Sequence, residues 1–548
     1  MTGLTVVIPS RDRGEILTRT LAGLASQSTS DFEILVVLDG RDQELPGKGR
    51  FPGVRFLVQD RAGPGVARNT GAAAAGSPLV LFLGDDMVPD ADLVARHLAG
   101  HDRYPAEEDA VLGHVDWHPE VAGDRLARWL ERSGTQFDFA GIPPGGDAGF
   151  GRFYSCNLSL KRSFFLDNGG FDEAFSYYYE DLDCGWRLSG KGMQLHYEPG
   201  ATTGHLHRYD EAALARRFEG IGSGERLMAA RHPWFEPFYL DRIRGALDHG
   251  LPSSAWPRLA DRLPRRLPGL LRRRVEARAD DWYHHRLSGP FLAGWAAAED
   301  LADLRDYLAD DFDPALLAGH EGAVDRERES APDEETFYRT SRNYLYDLTV
   351  FAMSQTKAPY LAELRAAVGP GARLLDWGCG IGADGLRLLA GGHVVAFADF
   401  ANPSAEFLRW RLARRGVDAP VYDLDRDLIP GGFDCAYSFD VIEHVEDPFA
   451  FLAELESRAG LVAVNLLEED EEDTDLHRPL PVGAILAHAQ RSGLVRYRRY
   501  HGRSHLLLYR SPSAPPWTTP GRIRSGAERR LGRFLPGRDP WFPVPPRR

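Results

Sequence analysis

The sequence predicts two α/β folds carried on one chain of 548 residues. Three observations predict them. Short apolar runs alternate with helical spacing from Thr5 to Leu83, the mark of a mostly parallel sheet. The same alternation returns from Arg373 to Leu466, with a glycine turn after its first strand. Between the two, from about Glu211 to Ala331, helical spacing dominates. The chain is too long for one core, so two or three domains are expected.

In the first fold, Thr5–Ile8 reads as a buried strand that ends at Pro9-Ser10. A helix follows from Gly14 to Ser26, with Ile16, Leu17, Leu21 and Leu24 on one face. Phe32–Leu38 is the second strand and ends at Asp39-Gly40; Val54–Val58 is the third. Gly65–Ala75 is rich in small residues and helical. Leu79–Leu83 is then an apolar strand that runs into Gly84-Asp85-Asp86. A parallel sheet brings Asp39, Asp85 and Asp86 to its carboxyl edge, where α/β folds keep their ligands. Two adjacent carboxylates repel each other, and a divalent cation is the usual offset. Such a cation also suits a nucleoside diphosphate. Taken alone, the pair reads equally well as a surface turn, and Asp39 reads as a turn residue before Gly40.

Glu180 and Asp181 open a later helix, where carboxylates complement the dipole. Asp181 also has the chemistry of a general base. Gly204-His205-Leu206-His207 offers two alternating histidines, and a neutral imidazole can bind a metal.

Composition narrows the function. Hydrophobic residues are 43% and charged residues 26%, ordinary for a soluble globular protein. A net charge of −15 argues against a dedicated nucleic-acid binder. The four cysteines, Cys156, Cys184, Cys379 and Cys435, are far apart; they fit a reducing compartment and show no zinc spacing. The N-terminus lacks a signal-peptide pattern, and no apolar run approaches a membrane span. A cytoplasmic protein is expected.

The order of motifs over roughly the first 210 residues resembles the family 2 glycosyltransferases of the GT-A fold. Ile8-Pro9-Ser10-Arg11-Asp12-Arg13 is similar to the family's opening strand and turn, which puts Pro9 and Arg11 at the nucleotide-sugar. Asp39 matches the base-contacting Asp, and Ala67-Arg68-Asn69-Thr70-Gly71 matches the segment before the metal strand. Gly84-Asp85-Asp86 stands at the D-x-D element, which implies Asp85 on the donor and Asp86 on Mg²⁺ or Mn²⁺. Gly84 occupies the place where many relatives carry the first Asp, so the ribose contact expected from that position is left open. Glu180-Asp181 matches the E-D element, whose Asp is the base in inverting members, and His205 falls near the metal. The resemblance implies direct displacement of a nucleoside diphosphate by an acceptor hydroxyl on a glycan, a lipid-linked glycan or a small molecule.

In the second fold, Asp376-Trp377-Gly378-Cys379-Gly380-Ile381-Gly382 is a strand running into the glycine turn. Gly380 to Gly385 also fits G-x-G-x-x-G, so the glycines alone leave a nicotinamide dinucleotide open. Asp399 and Asp423 end the next two strands, and Glu443-His444-Val445 follows the fourth. Asp376 two residues before Gly378, together with the Glu443-His444-Val445 segment, resembles the class I S-adenosylmethionine-dependent methyltransferases, a Rossmann-like fold, over roughly residues 338 to 510. Asp376, Gly378, Gly380 and Gly382 match that family's first motif. Asp399 matches its ribose-binding acid, Asp423 lies where adenine is contacted, and His444 is the candidate base.

The expected organisation is a GT-A domain over 1–210, a helical extension and acidic linker over 211–335, a methyltransferase domain over 336–510, and a disordered Pro/Arg-rich tail over 511–548. The basic stretch Arg262–Arg274 can lie on an anionic membrane face, which makes peripheral attachment an expectation to test. The acidic run Glu468–Asp473 reads as a solvated loop. The expected function is bifunctional: sugar transfer and methylation of the same glycan or glycoside. The alternative is a glycosyltransferase with an inactive or scaffolding S-adenosylmethionine-binding domain.

Overall fold

The computed structural model describes residues 2–41, 50–175, 178–263, 269–468, 478–512 and 519–545. The chain forms two compact units, Met1–Gly294 and Trp295–Arg548.

The first unit is built on an eight-stranded mixed sheet. Its strands are β1 (Leu4–Ser10), β2 (Phe32–Asp39), β3 (Val54–Gln59), β4 (Leu79–Leu83), β5 (Met87–Pro89), β6 (Asp109–Trp117), β7 (Asn157–Lys161) and β8 (Gln194–His205). The order is β3-β2-β1-β4-β7-β6-β8-β5. β1 runs parallel to β2 and β4, as the alternation predicts, while β7 is antiparallel to both β4 and β6. Every residue of β1 is buried, because helices cover both faces of the sheet. The small residues of helix Pro64–Ala74 have a packing reason. A Cβ added at Gly71 would lie 2.3 Å from Val7 Cγ1, so only glycine lets this helix sit so close to β1. The antiparallel β4–β7 pair sets Leu83 opposite Asn157. It therefore places the lead-in Ser155-Cys156 beside Gly84, whose N–H donates to Cys156 O at 3.1 Å.

The second unit carries a seven-stranded sheet: β9 (Arg373–Trp377), β10 (Val394–Asp399), β11 (Val421–Asp423), β12 (Phe433–Ser438), β13 (Ala459–Leu467), β14 (Leu494–Tyr500) and β15 (Ser504–Arg510). The order is β11-β10-β9-β12-β13-β15-β14. Strands β9 to β13 pair in parallel, and β15 and β14 close the edge antiparallel. The last two strands are not placed from the sequence; in β14 Arg496, Arg498 and Arg499 break the apolar pattern.

Three expectations about segments change. Residues 321–335, expected as a linker, are helical across His320–Ser330 and from Glu334 to Thr340, with Ala323, Val324 and Phe337 buried. Few apolar residues are needed when a short helix covers only a small face. The tail expected to be disordered has helix Thr519–Leu531. Its Ser525 Oγ accepts from Leu494 N–H at 3.0 Å, and Glu528 accepts from Tyr497 N–H at 3.1 Å, so it covers the edge at β14. Trp541 stacks on the Arg365 guanidinium at 3.6 Å, and Phe542 is buried. Finally, the units divide at Gly294 rather than in the acidic stretch: within the first unit the extension is held by other helices, as where Trp129 Nε1 donates to Asp280 at 3.1 Å. Most of Glu468–Asp473, part of Arg262–Arg274 and Trp517 lie outside the described residues.

A buried ion network ties the end of helix Gly269–Leu308 into the second unit. Arg411 donates to Asp300 and, at 2.9 Å, to Asp303, and Arg387 donates to Asp300 at 2.9 Å. Removing one partner of a buried network leaves an uncompensated charge. Arg411→Ala should therefore destabilise the second unit by about 3–5 kcal/mol, read as an earlier transition in denaturant unfolding with the first unit's transition unmoved.

Candidate functional site

The carboxyl ends of β1 and β4, the lead-in to β7 and the end of β8 converge on one group of charged residues. Asp85 and Asp86 follow β4 and are both buried. Ser10, the last residue of β1, donates its hydroxyl to Asp85 Oδ2 at 2.8 Å. Arg13 donates to Asp85 Oδ1 at 3.1 Å and to Asp86 Oδ2 at 2.6 Å. One guanidinium thus spans both carboxylates. Burial and the charge of Asp86 push the Asp85 carboxyl up to about 6, against the pull of Arg13 and Ser10. Burial raises Asp86 as well, but His205, His207 and Arg13 outweigh it and hold Asp86 well below the usual carboxylate range.

His205 Nε2 lies 3.4 Å and His207 Nδ1 3.1 Å from Asp86 Oδ2. The sequence points to Asp86 and His205 as metal ligands; the geometry adds His207. Alternation along a strand puts the two histidines, two residues apart, on one face. β8 ends at His205, and Leu206 N–H donates to Asp86 O at 2.8 Å. The backbone therefore stays beside Asp86 past the strand end, and both imidazoles reach its carboxylate. Trp117 stacks on His205, with ring centroids 4.9 Å apart, and fixes its plane. One ligand atom from each of Asp86, His205 and His207 lies within 4.8 Å of the others. One carboxylate oxygen and two imidazole nitrogens fit a divalent cation, and suit Mn²⁺ better than the oxygen-seeking Mg²⁺.

Glu180 and Asp181 open helix Glu180–Ser189. Glu180 is buried and paired with Arg68 at 3.3 Å. Asp181 is half-buried, and it accepts from Ser155 N–H at 3.1 Å and from the Ser155 hydroxyl. The β4–β7 pairing that sets Ser155 beside Gly84 therefore also sets Asp181 beside the strand end of Asp85-Asp86. Burial and the charge of Asp181 push Glu180 up to about 7, partly offset by Arg68. Burial raises Asp181 too, opposed by Arg68 and Ser155.

The remaining predicted residues fall in varied places. Asp39 is buried, and its carboxylate accepts from Gln59, from Ala62 N–H at 2.8 Å and from Gly63 N–H at 3.0 Å, so it shapes the turn after β3. Pro9 lies within β1, opposite Val37. Arg11 is partly exposed, with its side chain on Asp12 at 3.2 Å. Asn69 bonds both the N–H and the C=O of Phe171, bracing the segment before Glu180. Arg13 is not among the residues that the sequence singles out, although it stands three residues after Ser10 in the same opening turn.

In the second unit, Gly378, Gly380 and Gly382 all have positive φ, at 72°, 51° and 70°. These are the left-handed conformations that favour glycine. A Cβ at Gly378 would meet Val441 at 2.6 Å. Asp399 Oδ2 accepts from Gly380 N–H at 2.7 Å, so the end of β10 holds the turn open. Asp423 ends β11 beside it, in register with Asp399. Asp376 is buried and pushed up to about 8 by burial and by Asp384, against Tyr437 and Lys357. Its Oδ2 makes no hydrogen bond among the described residues. An orphaned buried acceptor beside a glycine turn fits a ligand bearing an ammonium and a ribose, as S-adenosylmethionine does. His444 ends a short 3₁₀ turn, with Nδ1 3.9 Å from Glu334 and its ring against Tyr338.

Comparison with known proteins agrees with both halves. Residues 5–156 match the family described as Glycosyl transferase family 2, and residues 375–457 match a methyltransferase domain. The chain is 32% identical over 227 residues to a validoxylamine A glucosyltransferase of Streptomyces hygroscopicus, covering 35% of this chain and 52% of that protein. It is 29% identical over 248 residues to a pre-mycofactocin glycosyltransferase of Mycobacterium tuberculosis, covering 42% of this chain and 48% of that protein. The chain thus spans about half the length of the curated relatives it matches. Among the described residues no helix is long and apolar enough to cross a membrane. The first family match ends at Cys156, ahead of Asp181 and His205, while the second takes in every site residue named from Asp376 to His444. The chain therefore carries a domain of glycosyl transferase family 2, followed by a methyltransferase domain.

Proposed function

We propose that the first unit transfers a sugar from a nucleotide-sugar to an acceptor hydroxyl with inversion, and that the second methylates the same glycan or glycoside. The observation that carries this reading is the pairing of β4 with β7. It sets the lead-in to β7, whose Ser155 holds the half-buried Asp181, beside the strand end that carries Asp86, on which His205 and His207 close from the end of β8. Asp86, His205 and His207 would hold a divalent cation, which when bound supplies charge to a departing diphosphate. Asp181 takes the proton of the acceptor hydroxyl. Glu180 is buried against Arg68, which leaves Asp181 as the base. A single displacement needs no carboxylate nucleophile, unlike a retaining glycosidase. In the second unit Asp376, Asp399 and Asp423 receive S-adenosylmethionine, and His444 removes the proton of the methyl acceptor. Both donors are made in the cytoplasm, where we place the protein. The name of the Streptomyces relative makes glucose the first sugar to test. The direct experiment is mass analysis of products from a panel of sugar-nucleotides and small glycoside acceptors, with and without S-adenosylmethionine. No hexose addition under any condition would overturn the first half of the reading.

Asp181→Asn should lower sugar transfer by about 10²–10⁴-fold while nucleotide binding persists. Because Asp181 must be ionised to act and its carboxyl is raised by burial, the rate should fall as pH drops toward that raised value, above the ordinary aspartate range. A pH–rate profile flat down to about pH 4, the ordinary aspartate value, would contradict the assignment.

Chelation should abolish transfer, and Mn²⁺ should restore it better than Mg²⁺. Asp86→Asn should weaken Mn²⁺ binding, followed by the paramagnetic resonance signal of the free ion. Full activity in excess EDTA would remove the metal from the scheme.

Gly378→Arg fills the cofactor turn. It should stop methylation and leave sugar transfer intact. If a folded Gly378→Arg protein loses sugar transfer instead, the second domain acts as a regulator of the first and not as a separate enzyme.

A further inference from the structure

Two consecutive non-glycine residues, Tyr178 and Tyr179, have φ of 63° and 69°. Left-handed backbone is costly for a residue with a Cβ and persists only where its surroundings enforce it. Tyr179 is the N-cap of the helix whose first residues are Glu180 and Asp181, so its conformation sets their direction. Contacts that enforce it come from the helical extension, beyond the segment that matches the glycosyltransferase family. Gly224 of helix Glu211–Arg231 presses on the pair: a Cβ there would lie 2.9 Å from Tyr178 O and 2.7 Å from the Tyr179 ring. The Tyr179 hydroxyl donates to Glu225 Oε1 at 2.7 Å. Glu225 is itself held by Tyr239 N–H at 2.7 Å and Leu240 N–H at 3.1 Å, at the start of helix Phe238–Asp248. The Arg217 guanidinium lies over the Tyr178 ring at 5.4 Å. In the same helix as Asp181, His232 Nε2 bonds Asp183 Oδ1 at 2.9 Å.

We infer that helices Glu211–Arg231 and Phe238–Asp248 form a clamp that positions the base, with Tyr179, Gly224 and Glu225 as positioning residues for Asp181. The inference rests on the reading of Asp181 as the base. The extension is then part of the glycosyltransferase machinery and not a spacer toward the second domain. Acceptor activation needs the carboxylate placed to within a fraction of an ångström, and about 1 Å of displacement can cost 10²-fold in rate.

The test uses the full-length protein with Tyr179→Phe, which deletes one hydrogen bond, and Gly224→Ala, which pushes on the strained pair. The donor and acceptor are those that the product screen identifies. We expect kcat to fall about tenfold in Tyr179→Phe and about 10²-fold in Gly224→Ala, with KM for the sugar-nucleotide unchanged. Glu225→Gln, which keeps an acceptor oxygen for Tyr179, should retain more activity than Glu225→Ala. A lower melting temperature with unchanged kcat would show a merely structural brace and overturn the inference, and so would parallel loss of donor binding. Crystal structures of the wild type and Gly224→Ala read the clamp without any activity. We expect the Ser155–Asp181 hydrogen bonds to break in the variant; if they persist, the inference fails. Should the wild type transfer no sugar at all, the functional reading fails while this structural arm still decides the clamp.

Discussion

The first unit depends on how paired carboxylates are kept at a buried sheet edge. Asp85 stands next to Asp86, and Glu180 next to Asp181, three of the four buried and the last half-buried. Unpaired ions in such positions would neutralise or destabilise the fold. Each pair is answered by one arginine and one hydroxyl: Arg13 with Ser10 for the first, Arg68 with Ser155 for the second. At Glu180-Asp181 the compensation is incomplete, since two negative charges meet one positive, while Asp86 also has His205 and His207. The residual charge is what a cation or an incoming proton can use. Asp86, with two imidazoles and an arginine, stays ionised and suits a metal. Asp181, raised by burial and still partly open, suits a proton.

The second unit meets the same constraint differently. Asp376, Asp384 and Asp440 gather around the single ammonium of Lys357, which lies 3.8 Å from Asp384 and 3.3 Å from Asp440. Here the excess falls on Asp376, which is raised to about 8 and has one oxygen without a hydrogen bond among the described residues. A cationic ligand would relieve it, and S-adenosylmethionine carries both a sulfonium and an ammonium. The glycine turn can approach such a ligand because Asp399 ties it from the neighbouring strand instead of a side chain filling it.

What the sequence makes legible follows from local rules. Strand ends marked by Asp39, Asp85-Asp86, Asp376 and Asp399 are readable because the apolar run and the carboxylate that stops it are adjacent in the chain. The glycine turn is readable because three left-handed positions need three glycines. What stays hidden are the counter-charges. Arg13 and Arg68 are two among many arginines, and nothing local says which one meets a carboxylate far along the chain. The spacing of His205 and His207 is legible, since residues two apart share a face of a strand, but nothing local says that Asp86 is the carboxylate they meet. The tail helix and the edge strand β14 escape because their stability comes from partners such as Ser525 with Leu494, not from their own pattern.

Gly84 joins these threads. A side chain there would bring its Cβ within 3.1 Å of Asp86 Oδ1 and of Met87 Cγ. An aspartate at 84, as many relatives of this family carry, would add a third negative charge to a site where Arg13 already spans two. With glycine, that space stays open, and the groups that close on Asp86 come from the other side: His205 at the end of β8 and His207 beyond it. Two imidazoles and one guanidinium then face two carboxylates, a balance that a third carboxylate at 84 would upset.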